Sequence, residues 1–295
     1  MAEIVVVGAG IAGLAFSVAA ARQGFVVDVF DRKSEPEVPS KLSSNVLAIN
    51  RSSRTFLEEE GVWALIAEQY RTPFRDMLVK DGSGSGCVSF SADEIGITEL
   101  GHIVDQPALC TALIQVAQSF DSLRLNWSSH IDIHNFKQGD VPLLVGADGI
   151  YSEIRERFRL QKIGYDYKQT ATVCIVKTEE PHNACARQWF LSKGPLAMLP
   201  LSDTHEVAVV WSSYESMMEL EDYAFRSELL RASEGDLGRI LSVGRRYEFP
   251  LRQQHALQYV EEGLALLGDA AHAIHPLDGQ GANLGFGDAR ALITE

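Results

Sequence analysis

Along the first thirty residues the apolar positions change rhythm twice. Glu3–Val7 is an unbroken β-branched run, the pattern of a strand covered on both faces in a parallel sheet. Ile11–Gln23, rich in Ala and Leu, predicts a helix capped at Gly24, and Val26–Phe30 returns to β-branched and aromatic residues. The three together predict a βαβ unit with a right-handed crossover. Ser52–Glu60 and Pro107–Gln118 read as helices, the second with Asp105 near its cap and Pro107 in its first turn. Phe74–Lys80 and Cys87–Phe90 flank Asp81–Gly86, which predicts a hairpin. Ala171–Lys177, Arg187–Phe190, Leu196–Leu199 and Val207–Trp211 predict a largely antiparallel sheet. Glu219–Ala232 predicts an amphipathic helix with Leu220, Tyr223, Leu229 and Leu230 on one side. Leu264–Leu267 is a last buried-type strand, leading through glycines into a helix from about Gly281.

The opening unit and the closing strand-turn-helix share one style and the middle has another. The expected architecture is therefore α/β: a discontinuous nucleotide-binding domain (1–70, 101–162 and 251–295) with an inserted, largely antiparallel substrate domain (71–100 and 163–250). At 295 residues and 46% hydrophobic content the chain can bury a sizeable core. A net charge of −14 argues against nucleic acid as a partner and gives no electrostatic anchor for anionic lipid. Apolar runs are far shorter than a membrane span, and Cys87, Cys110, Cys174 and Cys185 lack ligand or disulfide spacing. These features point to a reduced, cytoplasmic compartment, with at most peripheral contact with a membrane.

Gly8-Ala9-Gly10-Ile11-Ala12-Gly13 follows the first strand and opens the first helix, where a dinucleotide fingerprint belongs. Gly8 permits the turn, Gly10 admits a pyrophosphate, Gly13 lets helix and strand pack, and the helix N-terminus faces the phosphate charge. Asp31 closes the second strand 18 residues after Gly13, placed for ribose hydroxyls. This motif does not separate FAD from NAD. Leu143–Ser152 is a strand running into the Asp148-Gly149 turn and then a helix containing Arg155; alone it is most simply a turn. Gly268-Asp269 and the string from His275 to Asn283 are more specific: Asp269 sits just past a buried strand, Gly279 and Gly281 free the backbone, and the last helix's amides can stabilise a negatively charged ring.

On these strings the chain resembles the class A flavoprotein aromatic hydroxylases, and within them the ubiquinone-biosynthesis group of 2-octaprenylphenol and 2-octaprenyl-6-methoxyphenol hydroxylases. The resemblance rests on the GAGIAG turn with Asp31-Arg32, Ala48-Ile49-Asn50 through Gly61-Val62-Trp63, and Gly101–Val104. It continues through Gly146–Gly149, Glu179–His182, Ala186–Gln188, Gly194–Asp203 and Gly268–Gly285. It implies a GR2-type FAD-binding fold like that of p-hydroxybenzoate hydroxylase. FAD would be held by Gly8, Gly10, Ile11, Ala12, Gly13, Asp31, Arg32, Asp148, Gly149, Gly268 and Asp269. The flavin-ring loop of His275, Pro276, Gly279, Gln280, Gly281, Ala282 and Asn283 would complete the site. It further implies NAD(P)H as external donor, O2 as co-substrate, and hydroxylation of a polyprenylated phenol through a flavin C4a-hydroperoxide. Other ubiquinone-biosynthesis proteins become candidate partners, and the periphery of the inner membrane a candidate location. No residue is assigned as acid, base or nucleophile, because the hard chemistry belongs to the cofactor.

Three departures from the group's pattern stand out. Asn45 occupies a position where the group commonly carries arginine, with Arg51 and Arg54 as nearby substitutes; Trp127–Leu143 is shorter than in relatives; and relatives continue beyond the position of Glu295, so a fragment is one expectation. An impaired FAD-fold scaffold subunit and another flavin oxidoreductase on the same fold stay open as alternatives. His272 and His275 read as loop-ordering residues with no metal. Arg187 and Gln188 are balanced between facing substrate and pairing on a solvated sheet face. Trp189, Phe190, Met198, Leu199 and Trp211 read first as core and second as a pocket for a lipid tail.

Overall fold

A computed structural model describes residues 2–82, 84–131, 139, 141–275 and 279–294. Its first sheet runs in the order Val260–Glu261, Leu264–Leu266, Leu143–Gly146, Ile4–Val7, Val27–Phe30, Leu123–Asn126. All neighbours are parallel except the edge pair Val260–Glu261 and Leu264–Leu266. Helix Ile11–Arg22 crosses from the first strand to the next, and its face of Leu14, Phe16, Val18 and the following alanines is fully buried. The small side chains let it approach helix Gln106–Ala117 and the last helix, Gly281–Thr294. Asp105 caps the helix at 106, accepting from Ala108 N at 2.9 Å, and its other oxygen accepts from Ser43 N at 2.7 Å.

The second sheet is mainly antiparallel. It runs from His272–Ala273 through Tyr247–Ala256, Lys162–Thr178, Glu206–Ser213, Gly194–Pro200, Cys185–Leu191 and Asp76–Asp81 to the edge strand Cys87–Ser91. Cys185–Leu191 and Asp76–Asp81 pair in parallel, which joins the 76–91 hairpin to the rest. One face buries Trp189, Leu196, Met198, Val209 and Trp211 under helix Asp222–Ala232. That helix presents Phe225, Leu229 and Ala232, whereas Tyr223, expected on the buried side, is 77% exposed. Of the expected side, Leu220, Leu229 and Leu230 do pack on this core and only Tyr223 misses it, because 225, 229 and 232 form the inward row of the helix.

A third, three-stranded sheet of Val46–Asn50, Gly101–Asp105 and Arg71–Phe74 lies between the two. Its outward face packs Ile103 against Leu201 and Ala208 of the antiparallel sheet, with Val46, Ala48, Phe74, Ile175 and Leu199 around them. Two of the expected domain seams fall beside or inside continuous strands. Arg71–Phe74 pairs with Gly101–Asp105, and Tyr247–Ala256 crosses residue 251 within the antiparallel sheet. Strands are recruited by their hydrogen-bonding neighbours, which a linear reading does not reveal.

Candidate cofactor site

The glycine turn is built as the spacing requires. Gly8 has φ +108°, and a Cβ there would run into the backbone of Ala147; a Cβ on Gly13 would run into the Gly8 carbonyl. A Cβ on Gly10 would meet nothing within 4 Å. Two glycines are thus needed for packing, and the third leaves an open notch at the N-terminus of the helix, where phosphate charge is favoured. Asp31 Oδ2 accepts from Ala9 N at 2.8 Å and Oδ1 from Lys33 N at 2.8 Å, so the acidic residue is fixed against the turn itself. Ile11 and Ala12 form the first turn beside it. Arg32 reaches Glu153 at 3.1 Å and is otherwise exposed.

The middle and end of the chain meet this turn. Strand Leu143–Gly146 lies directly beside Ile4–Val7, bringing Asp148 and Gly149 to the same sheet edge. Asp148 Oδ2 accepts from Glu153 N at 2.7 Å and Ile154 N at 3.2 Å, while its Oδ1 is buried with no partner among the described residues. Gly268 and Gly285 both rest on Ala12: a Cβ on either would come to 3.1 Å from the Ala12 Cβ. Asp269 follows, open to solvent yet crowded by protein, so that desolvation raises its pKa while His272 pulls it down.

The ring loop reaches the third sheet. Gly279, with φ +60°, comes against Ala48, where a Cβ would lie 3.0 Å from the Ala48 Cβ. Asn283 is buried; its Nδ2 donates to Ala48 O at 2.8 Å and Gly279 O at 3.3 Å, and its Oδ1 accepts from Asn50 N at 3.0 Å. Its amide therefore straps the loop to the sheet. Gln280, Gly281 and Ala282 lead into the last helix, and a Cβ on Gly281 would meet none of the described residues within 4 Å. Pro276 lies outside the described residues. His275 stacks edge-on with Tyr167 at 4.8 Å.

Several organising residues carried no assigned role in the sequence. Arg155, 1% exposed, donates to Ala270 O at 2.7 Å and Ile150 O at 2.8 Å, tying the Asp148 turn to the Asp269 turn. Asp288 accepts from His272 Nε2 at 2.7 Å and from Gly268 N at 2.9 Å; this pairing is the main reason the His272 pKa is raised. The signal for Asp288 was an acid on the otherwise apolar side of the last helix. Of the cations beside Asn45, Arg54 is held by Glu58 at 2.8 Å and Glu99 at 2.6 Å and lies over Trp63, while Arg51 is exposed. Arg187 pairs with Asp236 at 2.8 Å, on the sheet face turned away from this site.

The residues fit FAD. Among the described residues there is an open notch at Gly10 with a helix N-terminus behind it, an unpartnered buried Asp148 oxygen, a crowded carboxylate at 269 and a second unblocked helix start at Gly281. The chain accordingly matches the FAD binding domain family over residues 137–295 and the NAD(P)-binding Rossmann-like domain over residues 6–68. It is 33% identical to the 3-demethoxyubiquinol 3-hydroxylase of Escherichia coli (strain K12), across 99% of this chain and 78% of that protein. It is 29% identical to the human mitochondrial ubiquinone biosynthesis monooxygenase COQ6, across 98% of this chain and 75% of that protein. It belongs to the FAD-dependent hydroxylase family of ubiquinone biosynthesis. Among solved structures, PqsL of Pseudomonas aeruginosa superposes with a TM-score of 0.79 at 20% identity, covering 99% of this chain and 85% of that one. The p-nitrophenol 4-monooxygenase PnpA of Pseudomonas putida DLL-E4 gives 0.78 at 17%, covering 100% and 79%. These two share the fold.

Proposed function

We propose that the protein is an FAD-dependent monooxygenase that hydroxylates the aromatic ring of a polyprenylated phenol in ubiquinone biosynthesis, with NAD(P)H as donor and O2 as co-substrate. The observation that carries this reading is the meeting of three distant segments at Ala12, with Gly268 and Gly285 packed on it and the Asp148 turn beside it. Bound FAD supplies electron storage and oxygen activation. The chain's own part is to hold and orient. The turn from Gly8 to Gly13 takes the pyrophosphate, Asp31 and Arg32 the adenosine side, and Asp148, Gly149 and Asp269 the middle of the cofactor.

Gly279 to Asn283 carries the ring, and the amides opening the last helix stabilise negative charge on it. The apolar contact of Ile103 and Ala48 with Leu199, Leu201 and Ala208 closes the space beside that loop, limiting water where water would release peroxide. The residue division proposed is a cofactor side (1–70, 101–162, 251–295) and a substrate side (71–100, 163–250), with Arg71–Phe74 and Tyr247–Ala256 as the strands that join the two sides. Among the described residues no helix is long and apolar enough to cross a membrane; peripheral contact with a membrane is the proposed route to a lipid-tailed substrate.

The test is aerobic turnover of the purified, FAD-loaded protein with short-chain 2-prenylphenols and either nicotinamide donor. The expected product carries one added oxygen on the ring. Donor oxidation that yields only peroxide with every phenol overturns the assigned reaction, and a protein that takes up no FAD overturns the class.

A further inference from the structure

Strand register assigns a face to every residue of the antiparallel sheet. Gln188 and Trp189 are neighbours and therefore opposite. Trp189 points into the core beneath helix Asp222–Ala232, beside Lys80, whose ammonium lies 5.9 Å from the ring. Gln188 points the other way, paired in register with Ala197 and Val79. The same cross-strand row extends through Val88 at one edge, and through Val210 and Val173 to Tyr247 toward the other. Every member of this row except Gln188 is apolar or aromatic, and the row is open at its ends, where Val88 is 54% and Tyr247 46% exposed.

The row immediately alongside contains Leu199, Ala208 and Ile175, which pack against Ala48 and Ile103 of the third sheet. Ala48 in turn touches Gly279 of the ring loop and accepts from Asn283. Gln188 is thus one row removed from residues that pack with the third sheet, whose Ala48 meets the ring loop. It is only 6% exposed, and among the described residues its amide has no hydrogen-bond partner. Among the described residues the fully enclosed polar atoms without partners belong to Asp148, Arg155, Trp189 and His272, so the unpaired Gln188 amide keeps contact with solvent and is free to bond a ligand atom on this face.

We propose that Gln188 holds the phenolic oxygen of the substrate from the open face of the antiparallel sheet, with the hydrocarbon of the substrate lying along the apolar row. The inference rests on the hydroxylase reading above and names the residue that recognises its substrate. An amide matches a phenol from either side, since its carbonyl accepts the hydroxyl proton and its NH2 donates to the oxygen. An apolar side chain at 188 would bed the hydrocarbon equally well and would lose only the hydroxyl. Arg187, spent on Asp236 and on the carbonyls of His182 and Cys185, has no part in this contact.

The experiment compares 2-prenylphenol with its methyl ether, titrated calorimetrically into the FAD-loaded protein. The wild type should bind the phenol about tenfold more tightly, the size of one net hydrogen bond. In Gln188→Leu the preference should fall to about one, with affinity for the ether and FAD occupancy unchanged, which also reports that the variant is folded. Gln188→Glu, which keeps an acceptor, should keep the preference. Under turnover Gln188→Leu should raise KM for the phenol and divert donor electrons to peroxide. If Gln188→Leu discriminates phenol from ether as the wild type does, the role of Gln188 is overturned and the hydroxylase reading stands. If the wild type binds neither probe and hydroxylates no phenol, both fall.

Discussion

Asn283 donates its side-chain amide to the carbonyl of Ala48, 235 positions earlier in the chain, at 2.8 Å. With the Asn50 amide delivered to its Oδ1 and Gly279 O as a further acceptor, this one side chain satisfies three backbone groups and fixes the ring loop on the third sheet. Asn283→Leu leaves those groups buried without partners. It should cost about 1–3 kcal/mol of stability and loosen FAD by roughly tenfold or more. Urea unfolding and flavin titration check both, and an unchanged FAD affinity would show that the loop is held by something else.

Two glycines of the first turn separate packing from binding. A methyl on Gly13 strikes the Gly8 carbonyl, so Gly13→Ala should destabilise the fold by about 3 kcal/mol. A methyl on Gly10 meets no protein atom within 4 Å, so Gly10→Ala should remain within about 1 kcal/mol of the wild type while FAD affinity drops at least roughly tenfold. Parallel denaturation and flavin titrations read the two effects. A Gly10→Ala protein with full flavin affinity would place the pyrophosphate elsewhere.

The contrast explains what could be seen in the sequence. The βαβ unit, its glycine turn and Asp31 are local: period, spacing and backbone freedom sit within thirty residues and need no partner to be recognised. The strands that became the antiparallel sheet announced themselves through β-branched runs for the same reason. What stayed hidden depends on distant pairing. Val46–Asn50 and Gly101–Asp105 are short strands defined by each other, and Arg155, Asp288 and Asn283 acquire their roles from carbonyls and amides brought up by other elements. Gln188 and Arg187 were balanced in the sequence because the alternation of a strand says that neighbours face opposite ways without saying which way is in.

Arg155 offers a third prediction. A guanidinium 1% exposed bridges the carbonyls of Ile150 and Ala270, and so sets the distance between the two acidic turns of the cofactor site. Arg155→Leu should cost about 2–4 kcal/mol, and Arg155→Lys should recover part of it, because an ammonium lacks the planar fork that reaches both carbonyls. FAD affinity should fall in the same order. Equal stability of the Lys and Leu variants would show that the side chain acts through packing alone.

Stability should depend on pH through two histidines of opposite sign. Burial, and next the neighbouring Arg54, push His102 down to about 4, below its ordinary value near 6.5. Between about 4 and 6.5 the unfolded chain therefore binds the proton that the folded chain refuses, and stability rises with pH across that window. The hydrogen bond to Asp288 raises the pKa of His272, so its contribution is complete below about 6.5 and is lost as pH climbs through the folded value. Urea unfolding at a series of pH values should show a rise to near 6.5 and a decline above it. His102→Gln should flatten the acid limb, and Asp288→Asn the alkaline one. An acid limb as steep in His102→Gln as in the wild type would assign that slope to the carboxylates instead.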